Sequence, residues 1–167
     1  LTPFDIAEQK AVKAIQKHSM NIYGKERNKK IDDAYLLLGK SRYYTERFIP
    51  AVDAYNYIIA NYPNASLLNE TKIWRAKAHI RLENQELAIE TLEILLRKPD
   101  LSDLIREEAT TTLAMAYSKA DTIELVRKYL WQATETSKNK VQKARNLFVL
   151  GQLYGLDGIK AVSYTHL

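Results

Sequence analysis

Apolar residues recur every three to four positions along most of the chain, and polar or proline-containing breaks separate the runs. Ala7, Ala11, Ala14 and Ile15 fall at i, i+4, i+7 and i+8, with Lys10, Lys13 and Lys17 turned elsewhere, which is one stripe of helical period. The pattern predicts a helix over 4–20. Its small alanines suit close packing on a neighbour, so it reads as the second helix of a truncated preceding pair. Asn21 to Lys30 is polar and reads as a connection with Gly24 as its turn residue.

Two short amphipathic helices follow within Ile31–Pro63. Ala34, Leu37, Leu38 and Ser41 are expected on the packed face of the first, with Tyr35, Leu38 and Arg42 overlapping it, and Asp32 and Asp33 as caps at its start. Gly39 lies mid-helix, where it costs about 1 kcal/mol against alanine. Close approach of a second helix would offset that cost. The second helix begins after Thr45-Glu46, tolerates Pro50 in its first turn, and aligns Ala51, Tyr55 and Ile58 before Asn61 and Pro63 end it.

This pair recurs. Gly39 has small-residue counterparts at Ala76, Ala114 and Gly151, at spacings of 37, 38 and 37. Twelve residues beyond stand Ala51, Ala88 and Val126, and sixteen beyond stand Tyr55, Leu92 and Leu130. The chain therefore reads as an all-α solenoid of stacked antiparallel helical hairpins, about three and a half units truncated at both ends. The units are 31–63, 66–100 and 103–137, then 140–161 as the first helix of an incomplete fourth, in which GLDGIKA would turn toward a partner helix. Leu150, Leu153 and Tyr154 would be half covered there, with fraying beyond 145 and self-association. Val162–Leu167 lacks the pattern, resembles adapter-derived read-through and is expected to be a non-native tail.

Composition adds limits. The chain has 167 residues, no cysteine, a net charge of +5 and scarce glycine and proline. No window approaches the ~18 uninterrupted apolar residues of a membrane span. Lys25, Arg27, Lys29 and Lys30 form the densest basic cluster, read as a solvated loop. No metal-ligand spacing, phosphate loop or nucleophile–base set is evident. His79 falls at a packing slot, His18 at a helix end and His166 in the excluded tail. No enzyme, cofactor or metal is expected. Of the eleven tyrosines, Tyr35, Tyr55, Tyr117 and Tyr154 fall at packing slots, whereas at least one of Tyr43 and Tyr44 should face outward.

Leu38-Gly39, Ala51, Tyr55 and Pro63 resemble the signature of the tetratricopeptide repeat, and Leu113-Ala114 with Tyr117 and Leu150-Gly151 with Tyr154 match its first half. Arg42 and His79 depart from it in the aromatic slot, and Glu46 and Glu83 replace its turn glycine. The resemblance implies a concave groove lined by first helices. Its residues would be Lys40, Tyr43, Tyr44, Lys77, Ile80, Arg81, Met115, Ser118, Lys119, Phe148 and Gln152. The structural ladder would comprise Leu38, Gly39, Ala51, Tyr55, Pro63, Ala76, Ala88, Leu92, Ala114, Tyr117, Gly151 and Tyr154. Lys40 and Lys77, with Arg81 and Lys119, would make the groove basic and suited to a protein or peptide segment carrying carboxylates. The residues after the small position are Lys40, Lys77, Met115 and Gln152, so the family's carboxylate clamp is not expected.

IQKHSM followed by KKIDDAYLLLGKSRYY resembles, more narrowly, the repeat region of the gliding-motility and type IX secretion lipoproteins of Bacteroidota. That implies a non-catalytic scaffold at the periplasmic face of the outer membrane, in a multiprotein complex with a lipid-anchored parent, with no membrane or nucleic-acid contact by this stretch. A cytoplasmic adaptor or co-chaperone-like regulator is the alternative, and nucleic-acid binding through a basic face a distant third.

Overall fold

A computed structural model describes residues 2–119 and 122–165, and the side chains of these except Lys25 and 156–165. The helices among them are α1 (Pro3–His18), α2 (Ile31–Tyr44), α3 (Phe48–Asn61), α4 (Leu68–Arg81), α5 (Gln85–Leu96), α6 (Asp103–Lys119), α7 (Ile123–Thr136) and α8 (Lys140–Thr165). The protein is all-α, and consecutive helices pack on one another, α1 on α2, α2 on α3, α3 on α4, α6 on α7 and α7 on α8, as in a helical-repeat array. Among the described residues no helix is long and apolar enough to cross a membrane. The chain groups into two compact units, Leu1–Thr91 and Leu92–Leu167, with the boundary inside α5.

In the first unit α1 opens on a reciprocal cap. The Asp5 N–H donates to Thr2 Oγ1 at 3.2 Å, the Thr2 N–H donates to Asp5 Oδ2 at 2.7 Å, and Pro3 takes the first helical position. Ala11 packs with Leu38 and Ala54, flanked by Val12, Ile15 and Tyr35. The main core joins Leu36, Ala51, Tyr55, Ile58, Trp74 and Ala78. Gly39 sits where α3 closes on α2: a Cβ there would lie 2.8 Å from Cδ1 and Cζ of Tyr55 and closer still to Cε1. The glycine is the space the tyrosine ring occupies.

The first helices end alike. Arg47 N–H donates to Arg42 O (2.8 Å) and Glu46 N–H to Tyr43 O (3.0 Å); one repeat on, Asn84 N–H donates to His79 O (2.9 Å) and Glu83 N–H to Ile80 O (3.3 Å). This is the Schellman closure, with the residue past the cap left-handed. Glu46 (φ 61°) and Glu83 (φ 60°) take that conformation without being glycine. The turn therefore closes without a glycine, at a cost of about 1–2 kcal/mol per site. In the second unit Thr122 N–H donates to Tyr117 O at 3.1 Å, the same long closure; Asp121, the counterpart of Glu46, lies outside the described residues.

The second unit packs Ala114 with Val126, Leu130 and Leu150. Tyr117 lies half-buried, its ring stacked on Tyr129 at 5.5 Å and its hydroxyl donating to Glu93 Oε1 at 2.7 Å. Burial, then that carboxylate, raise the Tyr117 phenol above its ordinary range.

Several expectations are corrected. Leu37 is exposed, because the buried stripe of α2 runs through Ile31, Asp32, Leu36, Leu38, Gly39 and Ser41. Asp32 and Asp33 are not the cap; Lys30 holds that place with no side-chain bond, while Asp32 accepts the Asp33 N–H at 2.9 Å inside the first turn. Asn21–Lys30 is not a plain connection: β1 (Asn21–Ile22) and β2 (Lys25–Glu26) pair antiparallel. α8 runs unbroken through GLDGIKA to Thr165, so no turn forms there and 162–165 continue the helix; His166 and Leu167 lie outside the described residues. Among the described residues a Cβ at Gly151 would meet nothing within 4 Å, and Tyr154 is 56% exposed instead of filling a packing slot.

Candidate protein-binding face

Glu70, Trp74, Lys77 and Arg81 stand at i, i+4, i+7 and i+11 of α4, one face of the helix. Lys40, Tyr43 and Tyr44 occupy neighbouring positions near the end of α2, which touches α4. The two stripes converge on the Trp74 indole. Its ring centroid lies 4.3 Å from the Lys77 ammonium and 5.2 Å from the Lys40 ammonium. Both distances fall within the reach of cation–π attraction. Lys40 also donates to Glu70 Oε1 at 2.5 Å. The expected pairing of Lys40 and Lys77 is therefore present, but through one aromatic ring, and with a carboxylate already on Lys40.

Around the indole the aromatic rings interlock. Tyr43 meets Trp74 and Phe48 edge-on, each at 5.4 Å, and Tyr44 meets Trp74 edge-on at 5.7 Å while stacking on Phe4 of α1 at 4.8 Å. Tyr44 is 51% exposed, whereas Tyr43 is half-buried against the core. Of this pair Tyr44 is the surface ring and Tyr43 a packing ring. Burial pushes the Tyr43 phenol up, against the pull of the Arg81 charge. The Arg81 guanidinium lies 5.0 Å over Phe48 and 3.7 Å from Glu46, so it ties α4 to the turn after α2. Ile80 is half-buried.

Trp74 is almost fully buried, yet neither its Nε1 nor the buried Tyr55 hydroxyl has a hydrogen-bond partner among the described residues. The rings are held by packing and charge, not by hydrogen bonds. Arg42, in the slot where the family places an aromatic, reaches Glu8 Oε1 (3.1 Å) and Pro50 O (3.0 Å), linking α1 to the start of α3. Its counterpart His79 is half-buried, and burial followed by the Arg75 charge lowers its imidazole below the ordinary value.

The other candidates belong to the second unit. Met115, Ser118 and Lys119 are exposed on α6, and Phe148 (66% exposed) and Gln152 on α8. None of them lines the cavity of about 330 Å³ in that unit, which is bounded by Glu93, Arg97, Arg106, Thr110, Tyr129 and Gln132 among others. Arg106 is spent there on the end of α5, donating to Lys98 O at 3.0 Å and Leu96 O at 3.4 Å. On α8, Leu147 and Phe148 are exposed while Leu150 is buried. Arg127 holds that helix by donating to Leu153 O at 2.7 Å with its guanidinium 4.7 Å over Tyr154. Among the described residues no group of His, Asp and Glu is placed to hold a metal ion.

Sequence reasoning missed Trp74, Glu70, Phe4 and Phe48. One mark was in the sequence: Trp74 stands one turn after Glu70 and one turn before Lys77 on α4, although its ring is buried in the core. Phe4 and Phe48 depend on the contact of three helices and left no such mark. No protein-family model matches the chain, and no curated protein is similar to it.

Proposed function

We propose that this chain is a non-catalytic interaction module of tetratricopeptide type, and that the α2–α4 face of its first unit receives an acidic segment of a partner protein. The observation that carries the reading is the pair of ammonium groups sharing the Trp74 ring. An incoming carboxylate would add to the Glu70 contact of Lys40 and meet the Lys77 ammonium at the same ring, and Tyr44 and Phe4 offer apolar contact beside it. The partner thus inserts a carboxylate-bearing segment with a neighbouring apolar residue.

The motif over Ile15–Tyr44 extends the proposal to a setting: a scaffold segment within a secretion and gliding-motility complex of the cell envelope. Fractionation of cells carrying the parent protein tests that setting, and recovery with cytoplasmic proteins would favour the adaptor reading.

A labelled synthetic peptide of alternating glutamate and phenylalanine tests the face itself. With Trp131→Phe as background, Trp74 becomes the sole indole and reports occupancy by its fluorescence. Lys40→Glu with Lys77→Glu is expected to weaken binding by more than about tenfold and to reduce its dependence on salt. Unchanged affinity and an unmoved Trp74 signal would overturn the proposal.

A further inference from the structure

The hairpin between α1 and α2 is built more firmly than a linker requires. Tyr23 (φ 53°) and Gly24 (φ 76°) form a two-residue turn with both central residues left-handed. Asparagine and glycine suit such turns; a tyrosine there is strained. Tyr23 is nevertheless 98% exposed, so no contact within the protein compensates that strain, and Ile22 and Met20 beside it are also exposed.

The base of the hairpin is clamped. Glu26 accepts the N–H groups of Met20 and Asn28, each at 2.8 Å, and the Ser19 hydroxyl. Arg27 N–H donates to Met20 O at 3.0 Å, the Asn28 amide to His18 O at 2.9 Å, and the Tyr62 hydroxyl to Asn28 O at 2.9 Å. These bonds consume the sole carboxylate between positions 17 and 30. Lys17, Lys25, Arg27, Lys29 and Lys30 remain as cations in that stretch, with Asp32 and Asp33 following at the start of α2. Lys17, Arg27, Lys29 and Lys30 are exposed. Four of these cations follow the turn and Lys17 precedes it at the end of α1, with the exposed Met20, Ile22 and Tyr23 between them in the chain.

We propose that this hairpin docks on an anionic lipid surface, with Tyr23, Ile22 and Met20 in the interfacial layer and the lysines and arginine at headgroup level. Tyrosine is an interfacial residue, and basic side chains near an anionic leaflet add attraction without needing directed partners. Ile22 and Met20, aliphatic and exposed beside Tyr23, suit the acyl boundary of a lipid layer and offer no flat face on which a nucleic-acid base could stack. That no helix spans a membrane bears on crossing one, not on touching one. This site is separate from the Trp74 face and does not depend on it.

The test uses the full chain and unilamellar vesicles, either phosphatidylcholine alone or with about one third phosphatidylglycerol. Sedimentation is expected to show binding to the anionic vesicles only, weakening as salt rises. Tyr23→Asn suits the turn, so it should raise the Tm while lowering the vesicle partition coefficient about tenfold, and Ile22→Ser should lower it without the gain in Tm. Lys29→Glu with Lys30→Glu should abolish binding. Retained partition of Tyr23→Asn, equal binding to neutral vesicles, or no binding to either would each overturn the proposal. Binding of single-stranded DNA that depends on Tyr23, with none to vesicles, would overturn it in favour of nucleic acid.

Discussion

The Gly39 site in the first unit and its counterparts in the second hold the same place in the repeat and solve it differently. At Gly39 the following helix presents Tyr55, and the ring fills the volume where a Cβ would be. At Ala114 the following helix presents Leu130, and the methyl group packs with a smaller partner in one core. At Gly151 nothing approaches at all. The small residue marks register; what makes it small at a given repeat is the size of the side chain sixteen residues on. A glycine in this position is evidence of tight packing only when that later residue is known.

The largest effect that tests this contrast is at Gly39. Gly39→Ala drives a Cβ into a fully buried ring, an overpacking cost of about 1–3 kcal/mol against a helix-propensity gain of about 1 kcal/mol. Urea denaturation should show a net loss. Gly151→Ala, on open helix surface, should instead gain up to about 1 kcal/mol. Equal signs at the two sites would break the comparison.

The next effect is coupling. Adding Tyr55→Leu to Gly39→Ala recreates the alanine–leucine pair of the second unit and also removes the unpartnered buried hydroxyl of Tyr55. The double variant should recover at least half of the stability lost by Gly39→Ala, a coupling of about 1 kcal/mol or more in a double-mutant cycle. Simple additivity would mean that the two positions do not share one volume.

The smallest effect concerns charge. In the first unit Glu8 bridges the Arg42 and Arg47 guanidiniums. Burial pushes its carboxyl up, but the hydrogen bonds and charges of the two arginines outweigh that and hold it below its ordinary 4.5. The stability it supplies is therefore complete above about pH 4.5 and is lost as pH falls through the lowered folded value. Glu8→Gln should flatten the fall in stability as the pH drops below about 4.5. In the second unit the Lys138–Asp103 pair is solvent-exposed, and Asp103→Asn should leave the urea midpoint unchanged.

Much of the architecture was legible because repeats make the same demand several times over. Ala51, Tyr55, Ile58, Ala88, Leu92, Val126 and Leu130 are all buried, and their shared offsets from the small residue were in the sequence. The hairpin turns followed from the same register even with glutamate in the glycine place. Leu37 was misplaced because α2 buries neighbouring positions as well as a simple stripe, so period alone did not fix its rotation. The β-hairpin was missed because Tyr-Gly is not a pair that the turn favours. At the candidate face Lys40, Lys77 and Tyr44 were named from the groove positions that the resemblance implies, while Trp74, the ring that they surround, belongs to a position that the other repeats fill differently. Glu70 was invisible as a partner of Lys40 because that bond spans thirty residues.

The turns within hairpins have a further consequence for how such a chain can change length. Positions 45–47 and 82–84 are closed by the same pair of backbone bonds, and an added or deleted residue there would leave both unmade. The links between hairpins carry no such closure and differ in length: 19–30, 62–67, 97–102 and 137–139. A change of length is thus expected to be tolerated in the links, where it would leave each hairpin's closure intact. The longest link is the one that contains the Tyr23 hairpin, a piece of extra chain accommodated where the repeat could admit it.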